Sequence, residues 1–161
     1  MKGNGTTEVR FTVPGIPRPG GSKRAFLHAK TQKMIVMDEC RENKNWRSTV
    51  ALFSRQSYAG PWLDGPLELH VVFRMPRPKA HYGTGSKAST LRQDAPEWHT
   101  SKPDATKLLR ALEDALTCVL WHDDSQVVYQ VVQKRYADGE PGADVVVRQI
   151  TGGEKKCTTG R

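Results

Sequence analysis

Residues 66–75 read PLELHVVFRM, and Leu67, Leu69, Val71, Phe73 and Met75 share one parity while Glu68, His70 and Arg74 share the other. Successive side chains of a strand point to opposite faces, so this spacing predicts a strand with one face in a core and one toward water. His70 falls on the wet side, and no second His or Cys stands at a metal-ligating spacing from it.

Toward the N-terminus, Val9, Phe11 and Val13 alternate with Glu8, Arg10 and Thr12, which predicts a second half-buried strand over 8–14. The stretch PGIPRPGGSKR ends it, since three prolines and two adjacent glycines demand a turn or loop. Its glycines would let backbone N–H groups approach a phosphate, with Lys23 and Arg24 supplying charge; an ordinary connecting turn is the other reading. Between Asp38 and Tyr58 the period changes. Trp46, Val50 and Phe53 recur at helical spacing, with Arg41, Glu42, Lys44 and Arg47 off that stripe, which predicts an amphipathic helix with Trp46 in the core.

Toward the C-terminus, residues 76–103 show no periodicity and carry Arg77, Lys79, Lys87, Arg92 and Lys102. So long a structureless segment inside a compact domain is either functional or disordered. With Tyr82 and Trp98 in it, it reads as a basic arm that orders on a nucleic-acid backbone. DATKLLRALEDALTCV, residues 104–119, then predicts a helix with Leu108, Leu112, Ala115, Leu116 and Val119 on its buried side, and Asp104 suits the start as a cap. At about 100° per residue, Lys107, Arg110 and Asp114 fall within roughly 60° of arc beside that stripe. QVVYQVVQKRYA predicts another strand, DGEPG a turn, and ADVVVRQI a last strand. Several strands with two helices not regularly alternating indicate an α+β domain, a mixed sheet of about four strands with two main helices packed on it. The domain is expected over 1–150, with 76–103 as a long basic loop and 151–161 as a disordered tail.

Composition bounds the partners. The 161 residues hold 25 Lys and Arg against 17 Asp and Glu, a formal net charge of +8, and an excess of that size favours a polyanion such as nucleic acid. The three cysteines, Cys40, Cys118 and Cys157, have no CxxC spacing and suggest neither a disulfide framework nor a zinc site. Neither a signal peptide nor a run of about 18 apolar residues is found, so a soluble, cytoplasmic protein without a membrane partner is expected.

The chemistry gathers in LWHDDSQVV, residues 120–128, where Asp123 and Asp124 sit side by side between the helix and the next strand. Carboxylates drawn from the start of a helix and from such a turn suit Mg²⁺, which takes hard oxygen ligands and keeps waters or substrate phosphates in its other positions. A bound dication would relieve the repulsion within the pair, and the alternative is that one of the two simply caps a turn. His122 could act as a base, but reads first as an exposed turn residue.

The run KPDATKLLRALEDALTCVLWHDDSQVVYQVVQK, residues 102–134, resembles the signature region of the RusA family of Holliday junction resolvases, and the strand followed by PGIPRPGGSKR resembles the family's opening. The resemblance implies a homodimeric, Mg²⁺-dependent crossover junction endodeoxyribonuclease that makes paired nicks in four-way DNA junctions and related branched DNA, in recombination and repair, with Mn²⁺ able to substitute. It also implies a bacterial or phage-infected cytoplasm. Carried over by position, Asp104, Asp123 and Asp124 are expected as catalytic metal ligands, with Asp124 the stronger of the pair. Lys107 and Arg110 are expected to stabilise phosphate charge. Asp114 is a lower-ranked ligand, because ten residues of helix would put it about 15 Å from Asp104. Arg18, Lys23, Arg24, Arg77, Lys79, Lys87, Arg92, Lys102 and Lys134 are expected on DNA, Lys134 as a phosphate-backbone contact roughly 26 Å along the strand from Gln126. The sequence departs from the family at two places: Thr106 stands where a second catalytic Asp is expected, and Lys107 where an Asn is expected. Two rival readings stay open, a junction-binding protein with weak or no nuclease activity and a less selective metal-dependent nuclease acting on flaps and forks.

Overall fold

The computed structural model describes residues 6–20, 23–27, 34–38 and 41–150. The strand over Leu67–Met75 lies in the middle of the sheet and is buried at every odd position, with Leu67, Leu69 and Phe73 inaccessible to solvent. In chain order the strands are β1 (Glu8–Pro14), β2 (Lys23–Leu27), β3 (Met34–Asp38), β4 (Leu67–Met75), β5 (Val127–Tyr136) and β6 (Gly142–Gln149); the helices are α1 (Arg41–Ser57) and α2 (Ala105–Leu116).

Four strands make one sheet in the order β1-β6-β4-β5, and β2 and β3 pair separately as an antiparallel hairpin. β6 runs antiparallel to both neighbours, whereas β5 runs parallel to β4. A parallel pair needs a long crossover, and residues 76–126 with α2 supply it. Both helices cover the same face. Their buried side chains, Trp46 and Val50 from α1 and Leu108, Leu109, Ala111, Leu112, Ala115 and Leu116 from α2, join the inward residues of β1, β4 and β6 in one core. No described helix is long and apolar enough to cross a membrane.

The opposite face of the sheet carries charge in cross-strand pairs. Glu8 meets Arg10 and Arg148, Glu68 meets His70, and Arg74 Nε lies 3.1 Å from Asp144, which also accepts from the Thr12 hydroxyl at 2.9 Å. The two guanidinium groups beside Glu8 hold its carboxyl down to about 2.

Three expectations change. The hairpin β2–β3 stands mostly where no element is expected, overlapping the expected loop at Lys23 and Arg24 and the expected helix at Asp38, and the first helix begins only at Arg41. The second helix ends at Leu116, so Val119 is outside it; Cys118 takes a positive φ of 60°, the chain reverses, and Leu120 and Trp121 enter the core in its place. Residues 76–103 are held in place with only two short 3-10 turns of their own. Tyr82 bridges Leu91, and the segment returns to the sheet where His99 N–H meets the Lys134 carbonyl at 3.2 Å and Tyr136 N–H meets that of Glu97 at 2.9 Å. The tail at 151–161 lies outside the described residues.

Candidate active site

The outer face of α2 and the first half of β5 enclose an open cleft of about 570 Å³ lined by Thr106, Lys107, Leu109, Arg110, Glu113, Asp114, Asp124 and Gln130. Helical geometry explains the lining: Thr106 and Glu113, seven residues apart, differ by only about 20° around the axis, with Arg110 between them. Gln130 pairs with Leu69 of β4 and so projects from the covered side of the sheet, where its amide donates to Glu113.

The adjacent aspartates divide. Asp123 caps the 3-10 turn at Asp124–Gln126: its Oδ1 accepts from Ser125 N–H at 2.8 Å, and Gln126 Oε1 in turn accepts the N–H groups of Asp123 and His122 at 3.1 and 3.0 Å. The Ser125 hydrogen bonds hold its carboxyl below the usual range. Gln126 also donates to the Leu63 carbonyl at 3.0 Å, which pins the turn to the chain entering β4. Asp124 points the other way, into the cleft. Its Oδ1 accepts from the indole N–H of fully buried Trp121 at 3.0 Å and from the Thr117 hydroxyl, while its Oδ2 has no hydrogen-bond partner among the described residues. The turn-capping reading therefore holds for one carboxylate and not for the other.

Glu113 is the group that the sequence reading passes over. Burial, then repulsion from Asp124 and Asp114, push its carboxyl up to about 7, against a smaller opposite effect from the Gln130 amide. The signal for it is the seven-residue spacing from Thr106, the position that lacks an expected carboxylate.

Other expected residues separate into several groups. Asp104 occupies the N-cap position of α2, yet its side chain caps nothing. Its carbonyl takes the N–H groups of Lys107 and Leu108, and its exposed carboxylate lies 3.4 Å from Lys107 Nζ, outside the lining of the cleft. Asp114 lines the cleft and meets Arg47 of α1 at 3.9 Å, with Arg47 also donating to its carbonyl at 3.1 Å. Among the described residues no group of three or more His, Cys, Asp or Glu side chains is placed to hold a metal ion.

The basic residues also divide. Lys134 Nζ donates to the carbonyls of Ser101 and Pro103 at 2.6 and 2.7 Å, bracing the chain just before Asp104. The Arg77 side chain is 4% exposed and donates to the carbonyls of Ala137 and Pro96 and to Asp138. Arg92 forms a two-point pair with Asp94, and Arg18 meets Glu42 at 2.7 Å. Lys79, Lys87 and Lys102 are exposed, as are Lys107 and Arg110. Lys23 and Arg24 enter β2, where only the backbone is described. The glycine of the preceding turn is used internally: Gly20 N–H donates to the Lys107 carbonyl at 2.8 Å, and a Cβ there would stand 3.4 Å from Ala111 N, so the turn lies against α2. His122 sits edge-on to Trp62 at 5.4 Å and does not line the cleft.

Comparison with known proteins bears on the same stretch of chain. The family model described as endodeoxyribonuclease RusA matches residues 14–148. An uncharacterized protein of Bacillus subtilis strain 168, YqaN, is 29% identical over 143 residues, covering 89% of this chain and 97% of that protein.

Proposed function

The chain belongs to the RusA family of endodeoxyribonucleases, and from that premise we propose that it is a Mg²⁺-dependent, structure-specific endonuclease that hydrolyses phosphodiesters at four-way junctions and related branched DNA. The observation that carries this reading is the cleft, where Asp124, Glu113 and Asp114 face the same space as Lys107 and Arg110. A carboxylate floor beside two cations matches a phosphodiester held near a dication, one sign for the metal and the other for the phosphate.

The donor set fits Mg²⁺. Burial, then repulsion from Asp124 and Asp114, push the Glu113 carboxyl up to about 7, and a divalent charge would relieve the repulsive part. Asp124 and Glu113 would hold the ion, with Asp114 lining the same cleft, whereas Asp104 stands outside that lining beside Lys107. A set this open leaves positions for waters and phosphate oxygens, as Mg²⁺ prefers and as Mn²⁺ also accepts. Bound there, the ion would neutralise charge and lower the pKa of a coordinated water.

The protein's own residues do the rest. Trp121 and Thr117 fix Asp124 in one orientation through Oδ1 and leave Oδ2 toward the cleft. Lys107 and Arg110 hold the phosphate, and Asp123 shapes the turn that presents Asp124. Lys79, Lys87 and Lys102 supply exposed charge for the DNA arms. A two-fold homodimer suits the paired nicks that resolve a junction.

Thr106 supports a second reading, a junction-binding protein without cleavage, because a hydroxyl is a weak substitute for a carboxylate. Incubating the protein with a labelled four-way junction and a matched linear duplex, in Mg²⁺, Mn²⁺ or chelator and beside Asp124→Asn, separates these. Paired nicks in the junction that vanish in chelator and in the variant are expected; tight binding without cleavage under every condition selects the second reading, and equal cutting of flaps and forks a less selective nuclease.

A further inference from the structure

The four tryptophans divide by burial: Trp46 and Trp121 belong to the core, whereas Trp62 and Trp98 are 47% and 52% exposed. Trp98 lies in the basic segment. Trp62 lies in the connection between α1 and β4, and the residues after it are fixed to the turn that presents Asp124. Leu63, itself buried, donates its N–H to the Leu120 carbonyl at 2.7 Å, and Gln126 donates to the Leu63 and Gly65 carbonyls at 3.0 and 3.3 Å. The Asp64 and Pro66 carbonyls accept from the Gln149 amide and from Ile150 N–H at 3.0 and 2.8 Å. On the other side of Trp62, the Tyr58 ring lies so close over Gly60 that a Cβ there would stand 2.5 Å from it.

The indole is therefore an apolar surface held in water on a rigid mount. His122 meets it edge-on with the ring planes at 68°, and such a contact takes at most one face of a ring. With nearly half of the residue in solvent, Trp62 keeps a face for a flat partner. Position and charge say which partner. His122 precedes Asp124 by two residues, so their Cα atoms are at most about 7 Å apart, the length of about two nucleotides of a B-form strand. A polyanion drawn to a chain of net charge +8 and seated at the cleft passes close to Trp62. Within a duplex each base is already stacked, so an indole can stack only on a base that has lost a neighbour.

We propose that Trp62, braced by His122, stacks on a base left unstacked at the branch point of DNA, and is a residue by which the protein tells branched DNA from linear duplex. The inference rests on the branched-DNA reading above and adds a base contact to it. The cations of the cleft, Lys107 and Arg110, meet phosphates, which a junction and a linear duplex share, so they give affinity without discrimination. A ring that needs an unstacked base supplies the difference. Because the 63–66 backbone is already tied down, little ordering accompanies the contact, and its stacking energy goes into binding.

Binding of the full chain, in chelator and at one salt concentration, to a labelled four-way junction and to a linear duplex of the same sequence gives a ratio of affinities. The native protein should favour the junction. Trp62→Ala should weaken junction binding about tenfold and leave duplex binding and the urea midpoint unchanged. Trp62→Phe keeps a stacking ring and should restore most of the loss. The contact itself is read on the native protein, and so serves if the Ala variant fails to fold: iodouracil placed at the branch point should photo-cross-link to Trp62, as peptide mapping shows. A native protein that binds both DNAs equally would overturn the branched-DNA reading and this role together. A native preference that Trp62→Ala leaves intact, an equal loss on junction and duplex, or cross-links that map only elsewhere would overturn the role of Trp62 and leave that reading standing.

Discussion

The indole N–H of Trp121 reaches Oδ1 of Asp124 at 3.0 Å from a position with no solvent exposure, so the orientation of a cleft carboxylate is set from inside the core. Trp121→Phe keeps most of the apolar volume and removes only the donor. A hydrogen bond to a charged group contributes about 1.5–3 kcal/mol, and the variant should lose stability of that order in urea unfolding. Cleavage should fall about tenfold, through kcat rather than junction affinity, because Asp124 is left with the Thr117 hydroxyl alone to orient it.

Lys134 was expected on a phosphate, and its contacts assign it to the chain before Asp104. Two variants separate these roles. Lys102→Ala, at an exposed cation, should lower the slope of log K against log salt by about one unit of charge and leave stability unchanged. Lys134→Met should leave that slope unaltered and cost about 1–3 kcal/mol in denaturant unfolding, since two carbonyls lose their donor. Salt titrations of junction binding read the first effect and urea melts the second.

Glu113 ties stability to pH. Its carboxyl is pushed up to about 7 from an ordinary 4.5, so between those values the unfolded chain has released a proton that the folded chain keeps. Stability from this group is therefore present at low pH and declines as pH rises through that window. Glu113→Gln should melt with the native protein near pH 4.5 and about 3 °C above it at pH 8, a shift discounted for the group's partial exposure. Calorimetry across pH checks the crossing, and added Mg²⁺ at pH 8 should raise the native melting temperature more than that of the variant.

Thr106→Asp places a carboxylate about 20° from Glu113 on the same helix face. The helix rise keeps the two acids about 10 Å apart, and an acid in the first turn four residues before Arg110 suits the helix, so the melting temperature in chelator should stay the same or rise by about 1 °C. The half-saturating Mg²⁺ concentration for cleavage should fall several-fold. A metal titration of both proteins, read by melting and by nicking, measures the two effects in one series.

The strands over 8–14, 67–75, 127–136 and 142–149 and the two helices were legible because each buries one face and leaves a period behind. The hairpin was not. MIVM in β3 is a short apolar run, which fits a strand or a helix equally, and no neighbouring period arbitrates. The sequence marks Asp124 as a candidate, and the structure puts it in the lining of the cleft, whereas its separation from Asp123 depends on how a 3-10 turn is capped, which spacing does not encode. Glu113 was hidden for a similar reason: on a helix it looks like one more solvated acid until β5 places Gln130 and Asp124 opposite it. Lys134 and Arg77 looked like surface charge because sequence does not show which carbonyls a folded loop leaves needing donors.

Arg77 binds the carbonyl of Pro96 at one end of the basic segment and that of Ala137 next to the sheet, while its guanidinium lies 5.3 Å from the ring of Tyr136, which His81 and His99 also contact. The segment is thus stapled at its base, with its tip over 84–92 in solvent. Trypsin cutting at Lys87 would open the tip and leave both stubs clasped, so the nicked protein should travel as one particle and come apart only in denaturant.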